Sequence, residues 1–292
     1  MNDQFAKSAK ADRAARQLER ADREAAVLAA AQRALSQGRF DNARRGFETV
    51  LADEQTPEAL EGLGWAILWQ DEVTAAVGCF EGAHRLYLER EDRRGAGRVA
   101  LWLGYAHGYI LVQPAIAGGW IERALRLLED LSPGPEHVWL AIAVAAGRGD
   151  RTEDQRRLAR EAAEIGRRLA RPDLEAMGLA SEGLVRVVEG EFADGMRLLD
   201  EAAAAVIASD SDDFAAVAHT WCAMLVACEY ACDIERASQW CERTAEYARR
   251  YGFRPLHATC QTTHAAVLIW RERPSARGTG AATARGSPRT GR

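Results

Sequence analysis

The side chains best able to do chemistry are the cysteines and histidines toward the C-terminal end of the sequence. Four of the six cysteines fall within twenty residues, and another lies between two histidines. These clustered residues are Cys222, Cys228, Cys232, Cys241, His257, Cys260 and His264. A zinc site needs three or four such ligands converging in a tetrahedron, and no C-x-x-C pair is present to supply two of them. Because free cysteine is commonly buried, we expect core packing here, with binding of a metal or small molecule as the alternative.

Motifs of known enzyme classes are missing from the sequence. There is no G-x-S-x-G elbow for a nucleophilic serine, no H-E-x-x-H zinc motif and no G-x-x-x-x-G-K-[ST] phosphate loop. The dipeptide spacing Gly62-x-Gly64 lies in a predicted helix without a preceding strand, so it cannot cradle a dinucleotide. The sequence therefore predicts a protein that is not an enzyme and that needs no cofactor.

Aromatic side chains form two i,i+4 pairs, each directly after a Leu-Gly dipeptide. The dipeptides are Leu63-Gly64 and Leu103-Gly104. Aromatic residues exposed in a groove make good anchors for a peptide because they lose little entropy on binding, and nearby glutamates could select a basic partner. The candidate partner-binding residues are Trp65, Trp69, Tyr105, Tyr109, Tyr230, Glu58 and Glu61. The alternative is that these aromatic rings pack between helices.

A repeated pattern specifies the elements that would position these residues. Gly38-x-Phe40-x-x-Ala43-x-x-x-Phe47 returns with a shift of 33 residues (76 − 43 = 33) as Ala76 and Phe80. A further copy has Ala117 and Ile121, and a weaker one starts at Gly190. A helix-turn-helix unit of about 34 residues is the period of tetratricopeptide repeats. We therefore predict an all-α, right-handed superhelix, a TPR-like α-solenoid of antiparallel helix hairpins.

The chain divides into three predicted parts. Residues 1–23 read as a charged helical arm, residues 24–272 as about six hairpins followed by one unpaired helix, and residues 273–292 as a disordered tail rich in Arg, Gly, Ser and Pro. The second hairpin is predicted to open at Pro57, the third near Arg98 and the sixth at Phe214. The third copy lies 41 residues after the second (117 − 76 = 41), so an insertion or longer helices must be accommodated.

Composition narrows the classes of function. The formal net charge is −5, which argues against a broad nucleic-acid surface. We read no secretory signal, and the most apolar segment, from Phe214 to Cys228, is too short to span a bilayer. We expect a cytoplasmic protein with reduced thiols, no membrane contact and a protein or peptide as its partner. The oligomeric state does not follow from the sequence.

The order of several short motifs points to a family. These motifs include Ala100-Leu101-Trp102-Leu103-Gly104, Gly119-Trp120-Ile121-Glu122-Arg123-Ala124, Gly195-Met196-Arg197-Leu198-Leu199-Asp200-Glu201-Ala202, and Ala227-Cys228-Glu229 followed by Trp240-Cys241. From about Gly82 to Trp270, the chain resembles the helical repeat region of large LuxR-type transcriptional regulators of the actinobacterial sort. This resemblance implies a superhelix that binds a partner or effector and signals to a helix-turn-helix DNA reader.

The sequence lacks the DNA-binding and ATP-binding motifs found in members of that family. It has no recognisable DNA-reading helix pair and no phosphate loop, so DNA binding and ATP hydrolysis do not carry over. The resemblance then implies the sensor or scaffold part of a truncated regulator. The alternative is a stand-alone adaptor that holds two proteins together.

Overall fold

The computed structural model describes residue 20, residues 22–147, residues 152–209, residue 211 and residues 213–251. Within these ranges the regular elements are all helical and no strand occurs. The helices are α1 (residues 22–36), α2 (Phe40–Asp53), α3 (Pro57–Leu68), α4 (Val73–Glu89), α5 (Arg93–Tyr105), α6 (Pro114–Leu128), α7 (Pro135–Gly147), α8 (Thr152–Arg168), α9 (Pro172–Val188), α10 (Phe192–Ala208), α11 (Phe214–Ala231) and α12 (Ile234–Tyr251). The predicted arm before residue 20, the unpaired helix and the C-terminal tail lie outside the described residues.

Consecutive helices form a series of hairpins, which confirms the predicted TPR-like α-solenoid. The starts at Pro57 and Phe214 are as predicted, and Thr56 caps the former by accepting a hydrogen bond from the Ala59 amide. The predicted start near Arg98 was wrong, since α5 begins at Arg93. The reason is the Asp92 carboxylate, which accepts from the Gly95 amide at 2.8 Å and starts the helix one turn earlier.

The repeat register depends on a glycine in the first helix of a hairpin. A Cβ atom on Gly64 would lie 2.6 Å from the Phe80 ring, and one on Gly104 would lie 2.6 Å from Ile121 Cδ1. Only glycine lets a large side chain of the second helix approach the backbone of the first so closely. The alignment of Ala76 and Phe80 with Ala117 and Ile121 is therefore correct.

Longer helices absorb the 41-residue spacing of the third copy. Helix α4 has 17 residues where α2 has 14, and α5 runs for 13 residues straight into a five-residue π-helical turn, Ala106–Ile110, where α3 has 12 residues. A π-turn is an α-helix with one inserted residue, and such turns are frequent at functional sites. The first helix of the third hairpin is therefore longer than that of the second.

The core is continuous along most of the solenoid. Phe40 at the start of α2 contacts Phe214 at the start of α11, with 5.7 Å between ring centroids, so the first and sixth hairpins meet. Cys228 and Cys241 are each 1% exposed, which confirms their predicted role in packing.

Helix α11 is the one described helix whose length and composition would allow it to cross a bilayer, and 67% of it is buried inside the protein. It extends three residues beyond the segment read from the sequence, so burial, rather than short length, marks it as a core helix.

Candidate functional site

The first helices of successive hairpins meet through a row of four tryptophans, which we call the indole row: Trp65, Trp69, Trp102 and Trp139. Neighbouring ring centroids in this row are 4.9, 5.0 and 5.3 Å apart. Trp69, Trp102 and Trp139 are 5–8% exposed and Trp65 is half-buried. Edge-to-face contacts dominate, as expected for packed aromatic rings. The space between α3, α5 and α7 is thus filled.

A half-buried carboxylate supports the indole row. Glu61 on α3 accepts two hydrogen bonds from Arg98, each at 2.7 Å, and further ones from Tyr87 at 2.9 Å and Trp102 at 3.0 Å. Burial, together with the adjacent Glu61 carboxylate, raises the pKa of the Tyr87 hydroxyl. This network joins α3, α4 and α5, and its partners all belong to the protein itself.

An open cavity adjoins the far end of the row, between the end of α5, the first part of α6 and the C-terminal half of α7. Its volume is about 790 Å³. The lining is mostly apolar and comes from α5, the π-turn, α6, α7 and one residue of α11. It comprises Leu101, Gly104, Tyr105, Gly108, Tyr109, Pro114, Ala117, Gly118, Ile121, Glu122, Leu125, Trp139, Ile142, Ala143, Val144, Ala146, Gly147 and His219. Sites for small molecules and peptide side chains commonly have this size and character.

Two tyrosines form one side of this cavity. The Tyr105 and Tyr109 rings lie 5.2 Å apart, and Tyr105 also meets Trp139 edge-on at 6.3 Å. Tyr105 is half-buried, whereas Tyr109 is 59% exposed because the π-turn carries it beyond the packed part of α5. Burial raises the pKa of the Tyr105 hydroxyl, and desolvation raises that of the Tyr109 hydroxyl as well, although most of the Tyr109 side-chain surface is exposed. Both hydroxyls are protonated at neutral pH.

His219 reaches the cavity from α11. The Ser181 hydroxyl donates to the Met177 carbonyl at 2.9 Å, so it accepts from His219 Nε2–H, also at 2.9 Å. Burial lowers the pKa of His219 to about 4, and the imidazole is neutral at cellular pH. Burial also raises the pKa of the nearby Cys222 thiol to about 11, which leaves no nucleophilic thiolate there.

The structure places the predicted binding residues in different surroundings. Tyr105 and Tyr109 line the cavity, whereas Trp65 and Trp69 belong to the indole row and Glu61 to its supporting network. The remaining two lie apart from the cavity lining: Glu58 pairs with Arg90 at 3.2 Å near the surface, and Tyr230 is 59% exposed near the end of α11.

Sequence reasoning missed Trp102, Trp139 and His219. Trp102 lies three residues before Tyr105 on the same helix face, a spacing that could have indicated it. Trp139 and His219 had no comparable marker because no Leu-Gly dipeptide precedes them.

Metal binding has no support in the described part of the chain. No group of three or more His, Cys, Asp or Glu side chains there is arranged to hold an ion. His257, Cys260 and His264 lie outside the described residues.

Comparison with known proteins finds the fold in peptide-bound and sensor proteins. No family model matches the chain, and no curated protein matches it. The structure is similar to Rap protein complexed with competence and sporulation factor, with a TM-score of 0.60 and 12% identity over 86% of this chain and 84% of that one. It is also similar to NprR in complex with its cognate peptide NprX, with a TM-score of 0.59 and 11% identity over 85% of this chain and 72% of that one.

A third similar structure belongs to a larger protein. It is a signal transduction ATPase with numerous domains (STAND) from Pyrococcus horikoshii that has a tetratricopeptide repeat sensor, with a TM-score of 0.52 and 14% identity over 79% of this chain. Our chain spans 35% of that protein's length. At these identities the similarity establishes the fold, a TPR-like helical solenoid.

Proposed function

We propose that this chain is a non-catalytic interaction module that binds a peptide segment of a partner in the cavity between its third and fourth hairpins. The observation that carries this proposal is the 790 Å³ apolar cavity beside the exposed ring of Tyr109. A π-turn at the edge of the cavity adds support, because such turns are frequent at functional sites. Of the structures with a similar fold, NprR was determined with its cognate peptide and Rap with competence and sporulation factor.

The structure also guides which predicted residues enter this proposal. Tyr105 and Tyr109 are the residues of this chain that we expect to contact the bound peptide. We assign packing to Trp65, Trp69 and Glu61, because their partners are other side chains of the solenoid. Glu58 and Tyr230 are candidates for a wider contact surface outside the cavity.

The module's place in a larger system is a second level of the proposal. We infer that it is the sensor part of a LuxR-type regulator, supported by the motif order and by a STAND protein that carries a tetratricopeptide repeat sensor. A stand-alone adaptor is favoured instead by the Rap comparison, in which this chain covers 84% of the other. A helix-turn-helix encoded just downstream would favour the regulator. The five cysteines in the described part are all unpaired, in keeping with a reducing cytoplasm.

Selection from a displayed library of random peptides tests the binding proposal, with the full chain as the target. The cavity can be filled by Gly118→Trp, because Gly118 lines it and an added Cβ meets nothing within 4 Å. Gly119→Trp is the matched control: its added Cβ also meets nothing within 4 Å, but Gly119 is not part of the lining. We expect Gly118→Trp to weaken selected peptides by at least about tenfold and Gly119→Trp to leave them unchanged. Equal effects of the two changes would overturn the proposal.

A further inference from the structure

Charge at the cavity mouth narrows the class of partner. Resting on the proposed function, we infer that the cavity selects a peptide in which an apolar anchor side chain is followed or preceded by a positively charged residue. The inference rests on one carboxylate, on the neutrality of the remaining lining and on the exposed aromatic faces.

Glu122 is the only formally charged residue at neutral pH among those that line the cavity. It lies on α6, one turn after Gly118, and its side chain is exposed. None of the ion pairs among the described residues includes Glu122, although Arg126 follows one turn later on the same helix. By contrast, Glu61 and Glu136 are each neutralised by an arginine of their own solenoid. Glu122 therefore places a negative charge that forms no ion pair beside an apolar cavity.

The rest of the lining offers no positive charge to offset Glu122. His219 is the one other titratable base there, and it is neutral because burial lowers its pKa to about 4. An anionic peptide would meet Glu122 without any compensating cation, and its own desolvation would add to the cost. A cationic group on the peptide would instead be attracted by the Glu122 carboxylate.

The aromatic side of the cavity favours the same sign. A cation within about 6 Å of a ring centroid is attracted to the negative face of the ring. Tyr105 and Tyr109 present two adjacent rings, and that of Tyr109 is mostly exposed. The apolar floor, formed by side chains such as Leu101, Ile121 and Ile142, can bury the anchor while the charge stays at the mouth. A peptide with an apolar anchor beside a lysine or arginine can place the anchor on the apolar floor and the positive charge near Glu122 and the tyrosine rings.

The test uses the same peptide selection, run in parallel on the native chain, Glu122→Gln and Glu129→Gln. Glu129 is an exposed glutamate at the end of α6 that does not line the cavity, so it controls for general surface charge. The strongest binder is then synthesised with Lys, Gln or Glu next to its anchor, and affinities are measured by fluorescence anisotropy.

We expect basic residues to be enriched beside the anchor on the native chain and on Glu129→Gln, and this enrichment to vanish on Glu122→Gln. The Lys peptide should bind about tenfold more tightly than the Glu peptide, and Glu122→Gln should remove most of that difference. Peptides that Gly118→Trp blocks but that show no preference for positive charge would overturn this inference and leave the proposed function standing. Failure to obtain any peptide that distinguishes Gly118→Trp from Gly119→Trp would overturn both.

Discussion

Two residues at equivalent positions of the repeat lie in opposite surroundings. Trp69 and Tyr109 both lie five residues after the glycine of a Leu-Gly dipeptide, yet the former is 5% exposed and the latter 59%. Trp69 follows the end of α3 and stacks on Trp65, whereas Tyr109 lies within the π-turn that extends α5. The same sequence signature therefore produces core in one hairpin and cavity lining in the next.

The cause is local helix length together with the next hairpin junction. Helix α3 stops at Leu68, so its terminal aromatic folds back into the core. The helical path of α5 continues through Ile110 and delivers Tyr109 to the cavity that α6 and α7 also line. The different end of the first helix therefore accompanies the change from a packing position at Trp69 to a cavity-lining position at Tyr109.

The largest difference between the two regions should be in stability. We expect Trp102→Ala to lower the free energy of unfolding by about 3–5 kcal/mol, because it removes a buried ring that touches Trp65 and Trp139. Tyr109→Ala should cost less than about 1 kcal/mol, because its ring is mostly exposed. Urea unfolding of both variants measures this. Similar losses for the two would mean that the open region is as much a part of the core as the indole row.

The architecture could be predicted from the sequence because the repeat depends on small residues at fixed positions. Gly64 and Gly104 accept Phe80 and Ile121 in the same way, so the register could be read directly. The start of α5 was misjudged because capping by Asp92 is a local hydrogen bond that competes with the hydrophobic pattern.

The lining of the candidate cavity was only partly predictable from the sequence. Tyr105 and Tyr109 were found through their spacing, but nothing in the sequence distinguished them from Trp65 and Trp69. Their difference depends on a π-turn, and on His219 being brought from a hairpin more than a hundred residues away. Neither feature leaves a periodic trace in the sequence.

A second prediction concerns the two glutamates of α3. Glu61→Ala should destabilise the protein by about 2–3 kcal/mol, since it leaves Arg98, Tyr87 and Trp102 without their shared acceptor. Glu58→Ala removes only a pair with Arg90 in which both side chains are over 40% exposed, and it should cost less than about 1 kcal/mol.

Thermal unfolding of the two variants, with the native chain beside them, checks this difference. If Glu58→Ala were the more harmful change, the supporting role given to Glu61 would be wrong. A combined Glu61→Ala, Trp102→Ala variant should lose less than the sum of the two single losses, because the residues share one network.

The smallest effect is expected in the turns that follow the two aromatic pairs. Asp71 and Val112 occupy matching left-handed positions, with φ of 68° and 54°, seven residues after Gly64 and eight after Gly104. Aspartate tolerates this conformation, but a β-branched valine is strained in it.

Val112→Gly should therefore stabilise the protein by up to about 1 kcal/mol, and Asp71→Gly should have an effect near zero, both read from urea midpoints. A gain at Val112 alone would mean that the chain leaves the π-turn through a strained residue, so that the path after Tyr109 is maintained at a cost. A loss at Val112 would instead show that the turn is unstrained, and that the opening of the cavity follows from helix length without any such cost.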